Sequence, residues 1–306
     1  MKQHTAFNKK FLRLLKTLLF CMAGLFAASV GHATSTAPIT QDPSALTISA
    51  EAALLYDTAS NTILFEKNAS QRMAPASLTK LLTVLTAYVH GGESLLYTVG
   101  DEIDLVGSNS STAYLRKENI LSFETIVDAV LLSSGNDATY TLAVNVARSV
   151  TRQTLTDTEA LLFFTALMNE VAHTLGCTDS QFTTVDGYPC EDHYSTANDM
   201  LRITIEAMRT PLVAKSVARS RAYHVFHSGR EAMWENTNLL LKKDSEHYYA
   251  YATGMKTGST GNEYSLAASA EKDGLQRIAI VLNAPDDQRR FYDTIALFEA
   301  GWAWAQ

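Results

Sequence analysis

Basic charge is scarce in this chain once its first 33 residues are set aside. That opening stretch holds Lys2, Lys9, Lys10, Arg13 and Lys16 and no acidic residue, which leaves 20 basic against 32 acidic residues in the remainder, a formal charge near −12. Such a balance argues against nucleic acid, and against an anionic lipid surface, as the main partner. Apolar length is also short: the uncharged run from Leu18 to Val30 is too brief for a comfortable membrane span. Of three cysteines, Cys21 lies inside that run, so only Cys177 and Cys190 remain beyond it. No Gly-Lys-Ser/Thr order is present to make a phosphate loop, and there is no long repeat or low-complexity tract.

The N-terminus has the three parts of a secretory signal: a basic region, a short apolar region and the small-x-small exit Gly31-His32-Ala33. Residues 1–33 are therefore read as a signal peptide, and 34–44 as a short linker. The protein is expected to be exported, with membrane association only where the signal stays uncleaved. Cys21 lacks the small residues that precede a lipid-modified cysteine and is taken as apolar filler. In an exported chain, a disulfide between Cys177 and Cys190 would close a loop of about 14 residues and add roughly 3 kcal/mol. Two free thiols remain an alternative, while Cys-x12-Cys-x2-His193 offers a metal three ligands and no obvious fourth. No metal or organic cofactor is expected. His90, His173, His193 and His224 show no Ser-His-Asp order and are read as structural.

What is present is a concentrated start to one helix. Pro75-Ala76-Ser77-Leu78-Thr79-Lys80 opens an apolar run in which Leu78, Leu81, Leu82 and Leu85 recur at helical spacing. Residues three apart on a helix share a face, so the Lys80 amine can lie beside the Ser77 hydroxyl. A buried lysine can be neutral enough to take the serine proton, and free N–H groups at a helix start favour a developing alkoxide. A second Ser-x-x-Lys occurs at Ser269 and Lys272, inside a strand-like run. Along a strand an offset of three points two side chains to opposite faces, so only the first copy can act as a pair.

The pattern predicts a hairpin from Ala50–Tyr56 and Thr62–Lys67, then the Ser77 helix ended by Gly91-Gly92, and a short strand over Asp101–Leu105. Helices follow at Glu124–Leu132, Ala138–Ala147, Glu159–Leu175 and Ala197–Met208, the last capped by Ser195 or Thr196. Strands return at Ala250–Gly258, Tyr264–Glu271 and Arg277–Leu282, before a final helix over Asp287–Trp304. This is an α+β plan: an antiparallel sheet built from both chain ends and flanked by helices, with an all-helical lobe (about 85–210) inserted. A site in the seam between two lobes is the natural expectation.

Two further patches complete a set. Ser134-Gly135-Asn136 falls between two helices, and Lys256-Thr257-Gly258 falls on a strand. Together with Ser77 and Lys80, in this order, the chain resembles the serine D-alanyl-D-alanine carboxypeptidases, the low-molecular-mass penicillin-binding group. This motif logic, Ser-x-x-Lys, Ser-x-Asn and Lys-Thr-Gly, is general to penicillin-binding proteins and serine β-lactamases. The likeness covers about residues 45 to 304. It includes Arg72–Lys80, Met168–Gly176, His193–Ala197, Asn236–Leu240 and Gly254–Thr260.

The resemblance implies a serine β-lactamase/D,D-peptidase-like fold over 45–306 and cleavage of the terminal D-Ala-D-Ala bond of peptidoglycan stem peptides through an acyl-enzyme that β-lactams also form. Ser77 is the implied nucleophile and Lys80 its base. Ser134 and Asn136 relay a proton and hold the peptide, and Lys256 sharpens the field. Thr257 binds the terminal carboxylate, and Gly258 belongs to the same substrate-binding strand. Backbone N–H groups of Ser77 and Ser259 form the oxyanion hole, worth about 3 kcal/mol per donor. An arginine for the carboxylate is placed at Arg290, with the neighbouring Arg289 as the alternative and solvated charge at a helix start as the plain reading of both. The implied location is the periplasmic or cell-wall face of a bacterium. No C-terminal β-rich domain is expected, and no Glu-x-x-Leu-Asn follows Gly135 to supply a deacylating glutamate. D,D-endopeptidase or β-lactamase action on the same scaffold, and a non-catalytic penicillin-sensing or wall-binding domain, are the alternatives.

Overall fold

The computed structural model describes residues 46–304; the signal peptide and linker expected over 1–44 lie outside the described residues. The chain enters a hairpin of β1 (Ala52–Asp57) and β2 (Thr62–Lys67). It then makes a short 3-10 turn, Ala76–Leu78, that runs straight into α1 (Thr79–Val89). β3 (Tyr97–Thr98) pairs with β4 (Ile120–Leu121), and α2 (Phe123–Leu131), α3 (Asn136–Thr151), α4 (Asp157–Thr174), α5 (Ala197–Arg209) and α6 (Pro211–Val217) follow. A separate hairpin, β5 (Arg221–Val225) and β6 (Glu231–Glu235), leads to β7 (Ala252–Thr260), β8 (Glu263–Lys272), β9 (Leu275–Ala284) and α7 (Arg289–Trp304).

The main sheet is antiparallel throughout, in the order β2-β1-β9-β8-β7, so the first and last strands of the chain do share one sheet, as expected. Its central strand shows the two-residue period of a sheet covered on both faces. On β9, Ile278, Ile280 and Leu282 join the core shared with the helical region, whereas Ala279 and Val281 join the core beneath α7. Each such isoleucine, leucine or valine removed from water contributes about 1.5–3 kcal/mol.

Local signals explain most helix ends. Ser122 caps α2 by accepting from Thr125 N–H, and Thr156 with Glu159 forms a capping box on α4. Thr196, not Ser195, caps α5. α1 is different in kind. It is buried from Thr79 to Ala87, Lys80 included, because helices and sheet surround it. A helix apolar on nearly every face belongs inside, and one lysine on it is an anomaly that needs a reason.

Two differences from the sequence expectations stand out. Asp101–Leu105 is a 3-10 helix, not a strand. Its alternating acidic residues mimic strand periodicity, but Glu102 turns inward, is buried, and accepts from Gly100 N–H and the Thr141 hydroxyl. No helix or strand is expected from the sequence over 209–249, where α6 and the β5–β6 hairpin lie.

Candidate active site

Ser77 sits in the middle of the 3-10 turn, where residues i and i+3 eclipse. Lys80, in the first turn of α1, therefore places its Nζ 2.7 Å from Ser77 Oγ. Ala76 adopts φ of +50°, a sharp entry that leaves Ser77 half-buried at the open end of the helix. Lys80 itself is fully buried, and its Nζ also donates to the Asp186 carbonyl at 2.9 Å. Burial brings the amine down to about 8, with Asp186 and Asp137 opposing a further fall.

The Ser134-Gly135-Asn136 turn is held from above by the segment that precedes β4. Ser111 Oγ donates to the Ser134 carbonyl at 2.7 Å, and Asn136 N–H donates to Ser111 O at 2.8 Å. Asp137 anchors the same segment, accepting from Ala113 N–H at 2.7 Å and Leu115 N–H at 2.8 Å. A Cβ at Gly135 would lie 2.8 Å from both Ala113 N and Ala113 Cβ, so this close approach needs glycine. Ser134 is buried with φ of +58°. Asn136 Oδ1 is buried without a hydrogen-bond partner, an acceptor left open.

β7 supplies the third side. A Cβ on Gly258 would come within 3.1 Å of Pro75 O and 3.3 Å of Ser77 N, so the strand lies directly against the Ser77 turn. Lys256 is fully buried and donates to Thr257 O at 2.9 Å. Burial, then the Lys80 and Arg290 cations, hold its amine well below the ordinary value. Ser259, the residue after Gly258, is exposed. Thr257 Oγ1 lies 2.6 Å from Thr237 Oγ1. Arg290 is buried, not solvated; it donates to Gly258 O at 2.9 Å and pairs with Asp287. The structure thus gathers Ser77, Lys80, Gly258 and Arg290 through direct contacts, with Lys256 charge-coupled to both Lys80 and Arg290.

Sequence reading gave no role to Asp186, Gly187 or Thr237, although Thr237 lies in the Asn236–Leu240 stretch of the likeness. The Asp-Gly pair is a turn signal that could have drawn attention; nothing local distinguishes Thr237. The histidines and cysteines have other duties. His193 Nδ1 accepts from Thr183 N–H at 3.1 Å, which leaves the proton on Nε2 to face Thr79 Oγ1 at 3.0 Å; burial pushes this ring to about 4. His224 Nε2 meets Asp128 Oδ2 at 2.8 Å. Cys177 and Cys190 are free thiols, the first buried and the second exposed. Among the described residues no group of three His, Cys, Asp or Glu could hold a metal ion, and no helix is long and apolar enough to cross a membrane.

A serine oxygen beside a buried, weakened amine can attack a carbonyl, and the buried Lys256 of β7 with Arg290 of α7 suits a substrate that ends in a carboxylate. Known proteins point the same way. A family model described as D-alanyl-D-alanine carboxypeptidase matches residues 38–286. The chain is 28% identical to D-alanyl-D-alanine carboxypeptidase DacF of Bacillus subtilis, covering 91% of this chain and 68% of that protein. It is 31% identical to DacC of Escherichia coli, covering 86% and 63%. It therefore spans about two thirds of the length of these curated relatives. The crystal structure of the Streptomyces K15 DD-transpeptidase superposes with a TM-score of 0.76 at 26% identity, covering 84% of this chain and 98% of that one.

Proposed function

The chain belongs to the D-alanyl-D-alanine carboxypeptidase family, and on that premise we propose that it is a serine hydrolase that removes the terminal D-alanine from peptidoglycan stem peptides. The observation that carries this reading is the 2.7 Å approach of the buried Lys80 amine to Ser77 Oγ. Ser77 Oγ attacks the carbonyl between the last two D-alanines while its proton passes to the free amine of Lys80. The tetrahedral intermediate collapses with breakage of the C–N bond, and the leaving amine takes a proton back. Water then hydrolyses the ester by the same route.

Asn136 holds the substrate amide, a role supported by its open Oδ1 acceptor. Ser134, at the same turn, relays the proton towards the leaving nitrogen. Thr257 receives the terminal carboxylate, and Lys256 and Arg290 supply the positive field that favours it. The N–H groups of Ser77 and Ser259 form the oxyanion hole, supported by the packing of Gly258 on the Ser77 turn. β-Lactams acylate the same serine. The basic, apolar and small-residue order of 1–33 supports export to the cell-wall side of a bacterium.

Mass spectrometry after incubation with benzylpenicillin tests the nucleophile, with wild type beside Ser77→Ala; D-alanine release from diacetyl-Lys-D-Ala-D-Ala tests the reaction. The expected result is an adduct and D-alanine release from wild type and neither from the variant. An adduct on Ser77→Ala, or label without D-alanine release from wild type, overturns the reading.

A further inference from the structure

We propose that Asp186 is a positioning residue that acts through Lys80: its carbonyl aims the amine at Ser77, and its carboxylate stabilises the ammonium formed as the serine proton moves. This rests on Ser77 and Lys80 being the acylating pair. Asp186 is buried, and its backbone O accepts from Lys80 Nζ at 2.9 Å. One carboxylate oxygen, Oδ1, accepts from Tyr188 N–H at 3.0 Å. The other, Oδ2, is buried without a hydrogen-bond partner. A buried carboxylate oxygen left in that state is costly unless a cation stands near to offset it. Lys80, whose amine already touches the carbonyl of the same residue and feels the carboxylate's charge, supplies it.

The segment is fixed against the nucleophile turn. Gly187 has φ of +82°, and a Cβ there would lie 1.8 Å from Ala76 O. No other residue fits, so Asp186 is clamped to the residue that precedes Ser77. The remaining groups around Lys80 are already committed. From α3, Asp137 spends its carboxylate on Ala113, Leu115 and Ala138 N–H groups, and Tyr140 contributes a phenol that burial and Asp186 keep protonated. From β7, Lys256 adds like charge, backed by Arg290 of α7, whose own partner is Asp287. His193, beyond Thr79, is held neutral by burial. Asp186 is the anion of this set with an oxygen to spare.

The chemistry follows from charge. When Ser77 attacks, its O–H bond breaks, the electron pair forms the new bond to carbon, and the proton makes Lys80 an ammonium. With the buried Asp186 carboxylate near the buried Lys80, that step moves positive charge towards a fixed negative one. The same carboxylate raises the amine's proton affinity, so the working free amine appears only at higher pH.

The test is Asp186→Asn, which keeps the shape and the acceptor for Tyr188 N–H. Measured are kcat/KM against pH for D-alanine release from diacetyl-Lys-D-Ala-D-Ala, the rate of benzylpenicillin acylation, and Tm. We expect the acid limb of both rates to move down by about one pH unit and the plateau to fall about tenfold. Asp186→Glu, which restores the charge, should return the limb towards wild type and serves should the amide variant fail to fold. A limb that stays in place, with only the plateau or Tm lowered, marks a merely structural residue and overturns the proposal. A wild type that neither releases D-alanine nor takes label defeats the functional reading itself, and is thereby told apart.

Discussion

The chain carries the same tetrapeptide spacing twice, and the two copies behave as different objects. At Ser77 and Lys80 the backbone is a 3-10 turn entering a helix, and the two polar atoms are 2.7 Å apart. At Ser269 and Lys272 the backbone is β8, and the partners part company: Ser269 Oγ binds Thr253 Oγ1 at 2.6 Å, while Lys272 Nζ rests 4.9 Å above the Tyr251 ring. The lesson is that Ser-x-x-Lys is a statement about helical period. On a strand the identical letters are two unrelated side chains.

The comparison breaks most readily at the serines. Ser77→Ala should lower D-alanine release by about 10⁴-fold or more and abolish the benzylpenicillin adduct, whereas Ser269→Ala should leave both intact. Loss of labelling in Ser269→Ala would end the distinction. The lysines come next. Lys80→Gln should slow acylation by about 10²–10⁴-fold, with Lys272→Gln at wild-type rate. In wild type only the free amine of Lys80 accepts the serine proton, so kcat/KM should climb as pH rises towards about 8 and then level off; a rate falling across that range contradicts the assignment.

A smaller effect is expected at the residue that keeps the first copy in its geometry. Gly187→Ala sets a Cβ against Ala76 O at a positive φ and should cost more in thermal unfolding than the about 1–3 kcal/mol of the strained φ alone, with slower acylation. The smallest effects belong to the second copy. Ser269→Ala should cost about 1 kcal/mol for its bond to Thr253, and Lys272→Ala about 0.5 kcal/mol for its contact with Tyr251. Chemical denaturation resolves both, and a loss several times larger would mean that β8 depends on these side chains for register.

Strong periodicity made much of the fold readable. β9 is an unbroken apolar run from Ile278 to Leu282 because both faces of the sheet are covered, and α5 announces itself through its cap at Thr196. Asp101–Leu105 misled because acidic and apolar residues alternate there for a different reason, the inward turn of Glu102. The β5–β6 hairpin escaped because its outward side chains, Tyr223, Val225 and Met233, are apolar and exposed, which blurs the in–out contrast that marks a strand. At the candidate site, Ser77 with Lys80 and the Gly258 strand were legible as motifs, while Asp186 and Thr237 were not.

What the sequence determined alone is everything set within a few residues: a helix starting at Ser77, a lysine one turn on, a turn at Ser134-Gly135-Asn136 and a strand at Lys256. Tertiary structure decided how charge and hydrogen bonds close around them. The Asp186 carbonyl reaches Lys80 across 106 positions, Thr237 meets Thr257 across 20, and Arg290 meets Gly258 across 32. Local preference acts over one or two turns of chain. Contacts like these exist only after the sheet and helices have packed, and packing is what takes Lys80 out of water and weakens its hold on a proton.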